Sequence, residues 1–342
     1  MKKFFLLLTV ISFLLFPMAA MADDISPASY SDTIGVGESV TIEKTVTVSA
    51  VPPSTAPVDV FFLADTTGSM YSEIAAVASG ASAIMTGTAG LGDVSFGVGS
   101  YRDAGDAYIY NLETDITSDT VTVQAGIDTW TAAGGGDWPE ANLFALTEVA
   151  ETTSWRAGST RILVWFGDAP GHDPSVSGVT EADATAALVA ENITVEAIDV
   201  GSLDAYGQAS AIATATGGDY YAGINTSTIV ATISDAIASV IATYSTVGID
   251  LSEVPTGLTA SATPDYTGDW ERDMDREFVF TISIIGDAAG DYTFPIYATV
   301  DGGRVAIEKD RIIVGAAVPE PGTMLLLGLG LLGLAGLRRK NS

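Results

Sequence analysis

Asp65, Thr67 and Ser69 fall on alternate positions in the segment Phe61–Met70, which reads Phe-Phe-Leu-Ala-Asp-Thr-Thr-Gly-Ser-Met. Gly68, with no Cβ to hinder a sharp turn, lets a tight loop aim one carboxylate and two hydroxyls at a common point. An all-oxygen donor set of this kind is what hard divalent cations prefer. The competing reading is local, because a serine ahead of a helix caps its first turn. Composition narrows the chemistry further. The 342-residue chain has no cysteine and a single histidine, His172. Thiolate metal sites, disulfides, cysteine nucleophiles and multi-histidine zinc sites are therefore excluded. Any metal must be held mainly by oxygen, which points to Mg²⁺, Ca²⁺ or Mn²⁺.

Charge points the same way. The two ends carry Lys2, Lys3, Arg338, Arg339 and Lys340 with one acid, Glu320. The residues between hold nine basic and 42 acidic side chains, a net of −33. A surface this acidic repels phosphate backbones, so no nucleic-acid partner is expected.

The donor residues need elements to hold them. Apolar runs at 58–64, 94–101, 162–166 and 193–198 read as buried strands, and helical patterns lie between them. Ile74, Val77, Ala78, Ala81 and Met85 share one helical face, and Ile229, Ile233, Ile237, Val240 and Tyr244 share another. Alternating buried strands and helices predict an α/β fold with a doubly wound, mostly parallel sheet. Asp65 then sits at the carboxyl end of a strand, where such sheets bind ligands. On either side the period is two. Val40, Ile42, Val46 and Val48 alternate, with Lys44 interrupting. Phe278, Phe280, Ile282 and Ile284 alternate after about residue 246, and Asp301-Gly302-Gly303 reads as a hairpin turn. Residues 28–55 are expected to join the β-rich 246–317 in a β-sandwich-like module, with the α/β domain at 57–245 inserted in it.

Four motifs, in order, resemble the von Willebrand factor type A domain. Asp65-x-Thr67-x-Ser69 resembles its metal-ion-dependent adhesion site. Phe96–Asp103 resembles the second strand with its terminal acid, Gly134-Gly-Gly-Asp137-Trp-Pro-Glu140 the Asp-x-Pro-Glu loop, and Val164–His172 the strand ending in Asp168-Ala. The details look most like the integrin-β and hemicentin-like variants. The resemblance implies a Rossmann-like fold in which Ser69 and Glu140 bind a primary Mg²⁺ or Mn²⁺. Asp65 and Thr67 touch the ion or reach it through water, and Asp168 supports the site. It also implies an adjacent Ca²⁺-type site from Asp103 and Asp137, sharing Glu140. Many type A domains supply a threonine from the second loop, and this chain offers acids there. Glu73 matches one acid of a third site, but its neighbour is Ser72 rather than an acid. Trp138 falls on the rim, as a ligand contact or packed against its loop.

Other patterns count for less. The acids between Asp269 and Glu277 lack the glycine of an EF-hand and read as a solvated, edge-protecting hairpin. No Gly-x-Ser-x-Gly elbow accompanies His172, so no hydrolase is expected. Sequons at Asn192 and Asn225 carry little weight. Residues 1–22 have a basic start, an apolar run and an Ala20-Met-Ala22 end, the pattern of an export signal. At the other end, Val318-Pro319-Glu320-Pro321, an apolar run and Arg338-Arg339-Lys340 resemble the PEP-CTERM sorting signal over 318–342. Its run Thr323–Leu337 spans about 22 Å as a helix, short against a bilayer core of about 30 Å. That resemblance implies membrane contact before processing by an exosortase-type protease, in a Gram-negative-type bacterium.

These readings describe a non-enzymatic protein of the cell envelope, outer surface or matrix. It would bind an acidic ligand on a protein or matrix polymer through a cation. The alternative is an envelope structural or assembly factor whose metal only stabilises loops.

Overall fold

The structure is a computed structural model that describes residues 23–315. The expected export signal (1–22) and sorting segment (318–342), including the apolar run 323–337, lie outside the described residues. Among the described residues, no helix is long and apolar enough to cross a membrane.

The chain begins with β1 (Asp24–Ser26), β2 (Ser31–Gly35) and β3 (Ser39–Val48). It then enters an α/β unit of alternating elements. In order these are β4 (Pro57–Asp65), α1 (Tyr71–Thr88), β5 (Asp93–Tyr101), β6 (Tyr110–Thr117), α2 (Thr120–Ile127) and α3 (Asn142–Thr152). There follow β7 (Thr160–Gly167), α4 (Glu181–Ala190), β8 (Ile193–Asp199), α5 (Gln208–Thr216), β9 (Tyr220–Tyr221) and α6 (Ile229–Ala242). The last six strands are β10 (Thr243–Asp250), β11 (Leu258–Thr263), β12 (Tyr266–Glu271), β13 (Arg276–Gly286), β14 (Gly290–Val300) and β15 (Gly303–Gly315).

The α/β sheet runs β6-β5-β4-β7-β8-β9, parallel except for the β5–β6 pair. Its strands can be apolar on both sides because both faces are covered. Val60 and Phe62 point into a core with α1, α2 and α6, while Phe61 and Leu63 meet α3, α4 and α5 on the other face. The predicted doubly wound α/β architecture is the one observed. β4 is central: β5 lies on one side and β7 on the other, so the sheet's growth reverses there.

The remaining strands form two facing sheets, β1-β3-β13-β11 and β12-β10-β14-β15-β2. β3 pairs antiparallel with β13 over ten residues, with Ile42 opposite Ile282 and Val46 opposite Phe278. Inward apolar residues from both sheets share one core. Asp301 and Gly302 both have positive φ (46° and 79°), as the two-residue turn between β14 and β15 requires. Tyr244 corrects the helical assignment made from periodicity. Helix α6 ends at Ala242, and Tyr244 lies on β10, buried in the sandwich core against Trp270 and Phe278. A spacing of seven from Ile237 fits a helical face, and nothing local to Tyr244 distinguishes that from the start of a strand.

Arg156 ties the lower edge of the α/β sheet. Its guanidinium donates to Asp59 Oδ1 (2.5 Å), Asp93 Oδ2 (2.9 Å) and the carbonyls of Val58 and Asp93. Asp59 is fully buried. Removing one partner of such a pair strands a charge away from water, at a cost of about 3–5 kcal/mol. Arg156→Ala is expected to lower the unfolding free energy by about that amount, measured by urea denaturation.

Candidate metal centre

The reversal at β4 opens a crevice between the carboxyl ends of β4 and β7, the place where open α/β sheets bind ligands. Asp65 ends β4, Asp168 follows β7, and Asp103 lies two residues past β5. Each strand therefore delivers one acid to the same edge.

Asp65 is fully buried. Its Oδ1 accepts from the backbone N–H of Thr67 (2.8 Å) and the Thr67 hydroxyl (2.7 Å). Its Oδ2 has no partner. The Thr67 and Ser69 hydroxyls lie 3.3 Å apart, and Ser69 is exposed at the start of the short 3₁₀ turn Gly68–Met70 that leads into α1. Neither Thr67 nor Ser69 makes a side-chain cap bond. The capping explanation of this segment therefore fails: the Thr67 hydroxyl turns to Asp65 and the Ser69 hydroxyl to Asp168.

Glu140 comes from a different loop, and backbone bonds fix its position. Its N–H donates to Pro170 O (2.9 Å), and its carbonyl accepts from His172 N–H (3.0 Å). Buried Gln208 holds the neighbouring Gly171 through both its N–H and its carbonyl. Gly134 and Gly135 pass over the site with positive φ (79° and 74°). A Cβ on Gly135 would sit 2.9 Å from both Glu140 Oε1 and Thr67 Cβ, so only glycine permits this approach. Glu140 Oε2 is buried without a partner.

These carboxyls lack nearby positive charge. Burial pushes Asp65 up to about 7, only partly opposed by the Thr67 bonds, and Asp168 raises it further. Burial pushes Glu140 up to about 8, and the charges of Asp65, Asp103, Asp106 and Asp168 add to the shift. Asp168 is raised by burial, with the Ser69 hydroxyl offsetting part of the effect. A hard cation suits this donor set of carboxylates and hydroxyls, since it would satisfy the orphaned oxygens and relieve the mutual repulsion.

A second group lies beside the first. Asp103, Asp137 and His172 each bring a ligand atom within 4.8 Å of the others, the one such group of three among the described residues. His172 Nε2 is 3.6 Å from Asp103 Oδ1 and 3.8 Å from Asp137 Oδ2. Asp103 Oδ1 is buried and has no hydrogen-bond partner. The resemblance paired Asp103 and Asp137 with Glu140; among the described residues the two acids group most tightly with His172, and Asp103 also lies close enough to Glu140 to raise it. Asp65, Glu140 and Asp168 do not approach one another as closely as this second group. Glu73 accepts from the Thr226 hydroxyl (2.6 Å), and its charge adds to the rise of Asp168. Trp138 is half exposed and meets exposed Tyr206 edge to face at 5.5 Å, so it packs on the rim and not in the core.

Sequence reasoning missed Asp106. Its Oδ2 accepts from Gly135 N–H (2.9 Å) and Asp103 N–H (3.2 Å), joining two of the loops. The signal was present: Asp103-Ala-Gly-Asp106 has the composition of a tight turn.

Comparison with known proteins places the fold in a family. Residues 59–198 match the family model of the von Willebrand factor A domain, and residues 317–340 match the PEP-CTERM protein-sorting motif. The chain carries a von Willebrand factor A domain. Together the two matches mark an exported surface protein with an adhesion-type domain, of a family that often binds divalent metal and typically serves in protein interaction. No curated protein matches the chain significantly. Among solved structures, a von Willebrand factor type A protein from Catenulispora acidiphila is 13% identical with a TM-score of 0.48, over 90% of this chain and 76% of that one. The pilus adhesin SpaC from Lactobacillus rhamnosus GG is 13% identical with a TM-score of 0.44, over 81% and 45%. Proximal thread matrix protein 1 from the mussel byssus is 13% identical with a TM-score of 0.44, over 59% and 48%. The chain thus spans less than half of the latter two.

The raised carboxyls set the pH dependence of the metal-free domain. With Asp65 at about 7 and Glu140 at about 8, the folded domain holds protons that the unfolded chain has already lost. The associated stability is fully present below the ordinary carboxylate range, near about pH 4, and is lost as pH rises through about 7 to 8. Each tenfold difference in proton affinity between the folded and unfolded chain contributes about 1.4 kcal/mol. In chelator, the melting temperature is expected to fall between about pH 5 and about pH 8.5. Adding Mg²⁺ at the upper pH is expected to restore it, as read by scanning calorimetry.

Proposed function

We propose that this is an exported bacterial surface or matrix protein whose von Willebrand factor A domain captures an acidic group on a protein or matrix polymer through a divalent cation. The observation that carries the reading is the pair of buried, partnerless oxygens, Asp65 Oδ2 and Glu140 Oε2, beside the exposed Ser69 hydroxyl. Asp65, Thr67, Ser69, Glu140 and Asp168 are the residues that would hold Mg²⁺ or Mn²⁺. Bound there, the ion would offer a coordination position to a partner's carboxylate. The chain's own part is to orient the oxygens and keep them dry. Trp138 and Tyr206 add an aromatic rim for ligand contact. No step in this reading is catalytic.

The second group, Asp103, Asp137 and His172, mixes an imidazole with two carboxylates. Ca²⁺ takes oxygen ligands, whereas imidazole suits first-row transition ions. This adjacent site therefore fits Mn²⁺ or Zn²⁺ better than the Ca²⁺ expected from the resemblance. The reading in which the cation only secures loops is weaker. Backbone bonds already hold them: Gly68 N–H to Gly134 O, Ala133 N–H to Thr66 O, and Glu140 N–H to Pro170 O.

Asp65→Asn separates binding from structure, because it removes a buried charge and keeps the shape. In chelator near neutral pH the variant is expected to melt higher than the wild type. It should also lose the Mg²⁺-dependent capture of producing-cell matrix that the wild type displays in a pull-down. Retained capture would count against the proposal. Sorting has its own test. Processing at the Val318–Pro321 motif by an exosortase-type protease is expected to leave a mature protein lacking Ser342, read by mass spectrometry of its C-terminus.

A further inference from the structure

Lys44, which broke the apolar alternation of β3, points fully into the sandwich. Its Nζ contacts Glu308 Oε2, lies 3.2 Å from Asp310 Oδ1, and donates to Pro27 O at 3.2 Å. All three ionisable side chains have zero exposure. The acids reach the interior through a β-bulge. The register of β14 and β15 shifts between Ala298 and Thr299, whose partners are Ala306 and Arg304, leaving Val305 as the extra residue. A one-residue shift exchanges the faces of a strand. Val305 is buried before the shift, and Glu308, Asp310 and Ile312 are buried after it, while Ile307 is left 56% exposed. The strand thus gives up an isoleucine to solvent and takes two carboxyls into the core.

The surroundings are apolar. In register, Phe280 stands opposite Lys44, Phe294 opposite Asp310 and Ile296 opposite Glu308, all buried. As a permanent ion network this is a poor arrangement. One ammonium faces two carboxyls out of water, and Glu308 Oε1 and Asp310 Oδ2 have no partner. Burial pushes Glu308 up to about 7 and raises Asp310 as well. Asp310 Oδ1 also accepts from the Tyr30 N–H at 2.6 Å, which polarises that carboxyl.

We propose that Lys44 and Asp310 condense to an intramolecular isopeptide bond joining β3 to β15, with Glu308 as the proton carrier. In a dry enclosure a neutral amine and acid compete with the ion pair, so the Glu308 carboxylate takes a proton from Nζ. The freed lone pair attacks Cγ of the protonated Asp310, and the Tyr30 N–H donates to the oxygen that gains charge. Glu308 passes its proton to the departing hydroxyl and takes one from the nitrogen. One C–N bond forms, one C–O bond breaks, and one water leaves. Glu308 ends protonated and the new amide is neutral. No oxidant, reductant or co-reactant is required. β3 and β15 belong to opposite sheets, so the bond staples the sandwich across its core.

The test is the intact mass of the purified wild-type protein. It is expected to be lower by one water than the sum of its residues, with a proteolytic peptide branched between Lys44 and Asp310. Lys44→Arg and Asp310→Ala are expected to show the full mass. Glu308→Gln keeps both reacting groups and is expected to stay unlinked, or to link many-fold more slowly, while circular dichroism confirms its fold. With no cysteine in the chain, fragments cut within the α/β domain and still joined in denaturant report this bond alone. A wild-type protein of full mass would mean a buried ion network only and overturn the proposal. A branch at Glu308 in place of Asp310 would overturn the assignment, and a Glu308→Gln variant that links at the wild-type rate would overturn the role of Glu308.

Discussion

The α/β half of the molecule is organised around carboxyls that have been taken out of water with no cation of the chain's own to meet them. Asp65 and Glu140 are buried, each with one oxygen unsatisfied. Left to themselves they would drift apart or turn to solvent, since an unpaired buried charge is among the costliest features a fold can carry. What resists this is backbone geometry. A parallel sheet brings the ends of β4, β5 and β7 to one edge. Gly134 and Gly135 let a fourth segment pass close overhead, backbone hydrogen bonds between the loops fix Glu140, and the Gln208 side chain fixes Gly171. The frame is stiff enough to keep these carboxyls together, and the cost of burying them shows as proton affinities raised well above the ordinary carboxylate range.

The sandwich meets the same electrostatic problem in another way. There too two acids are drawn into a core, but the chain supplies the counter-charge as Lys44, one of only two lysines between the terminal segments. One half of the protein therefore leaves its buried carboxyls without a counter-charge of its own, and the other half finds one within.

Much of this was legible in the residues. Uninterrupted apolar runs marked β4, β5, β7 and β8, because only strands covered on both faces read that way. The Asp65-Thr67-Ser69 spacing marked three side chains that do meet, because a tight loop after a strand has few ways to orient them. Lys44 was visible as a break in period two. What stayed hidden depended on chain segments meeting. The grouping of Asp103, Asp137 and His172 draws on three loops whose approach no local pattern encodes. Asp106 acts through backbone N–H groups of a distant glycine loop. The burial of Glu308 and Asp310 has no local signal, because a strand that keeps its register from Val305 would put Ile307 inside. The bulge that reverses this is specified by pairing with β14. Tyr244 was misplaced for a related reason: helix and strand spacings coincide over a few residues at a junction.

The threading of one unit through the other governs the order in which the protein can be made. β3 has only the three-residue β1 beside it until β13 is synthesised, and the whole α/β unit is translated in between. Domains tend to complete themselves as units while the chain emerges. The inner unit can close as soon as α6 is available, whereas the first strands wait with an open edge, a known route to mispairing. The outward side chains of β3 include Thr41, Glu43 and Thr47, polar groups that make a waiting strand less adhesive to its neighbours. The late strands thus complete the early ones: β13 gives β3 its long partner, and β15 gives β2 its only one among the described residues.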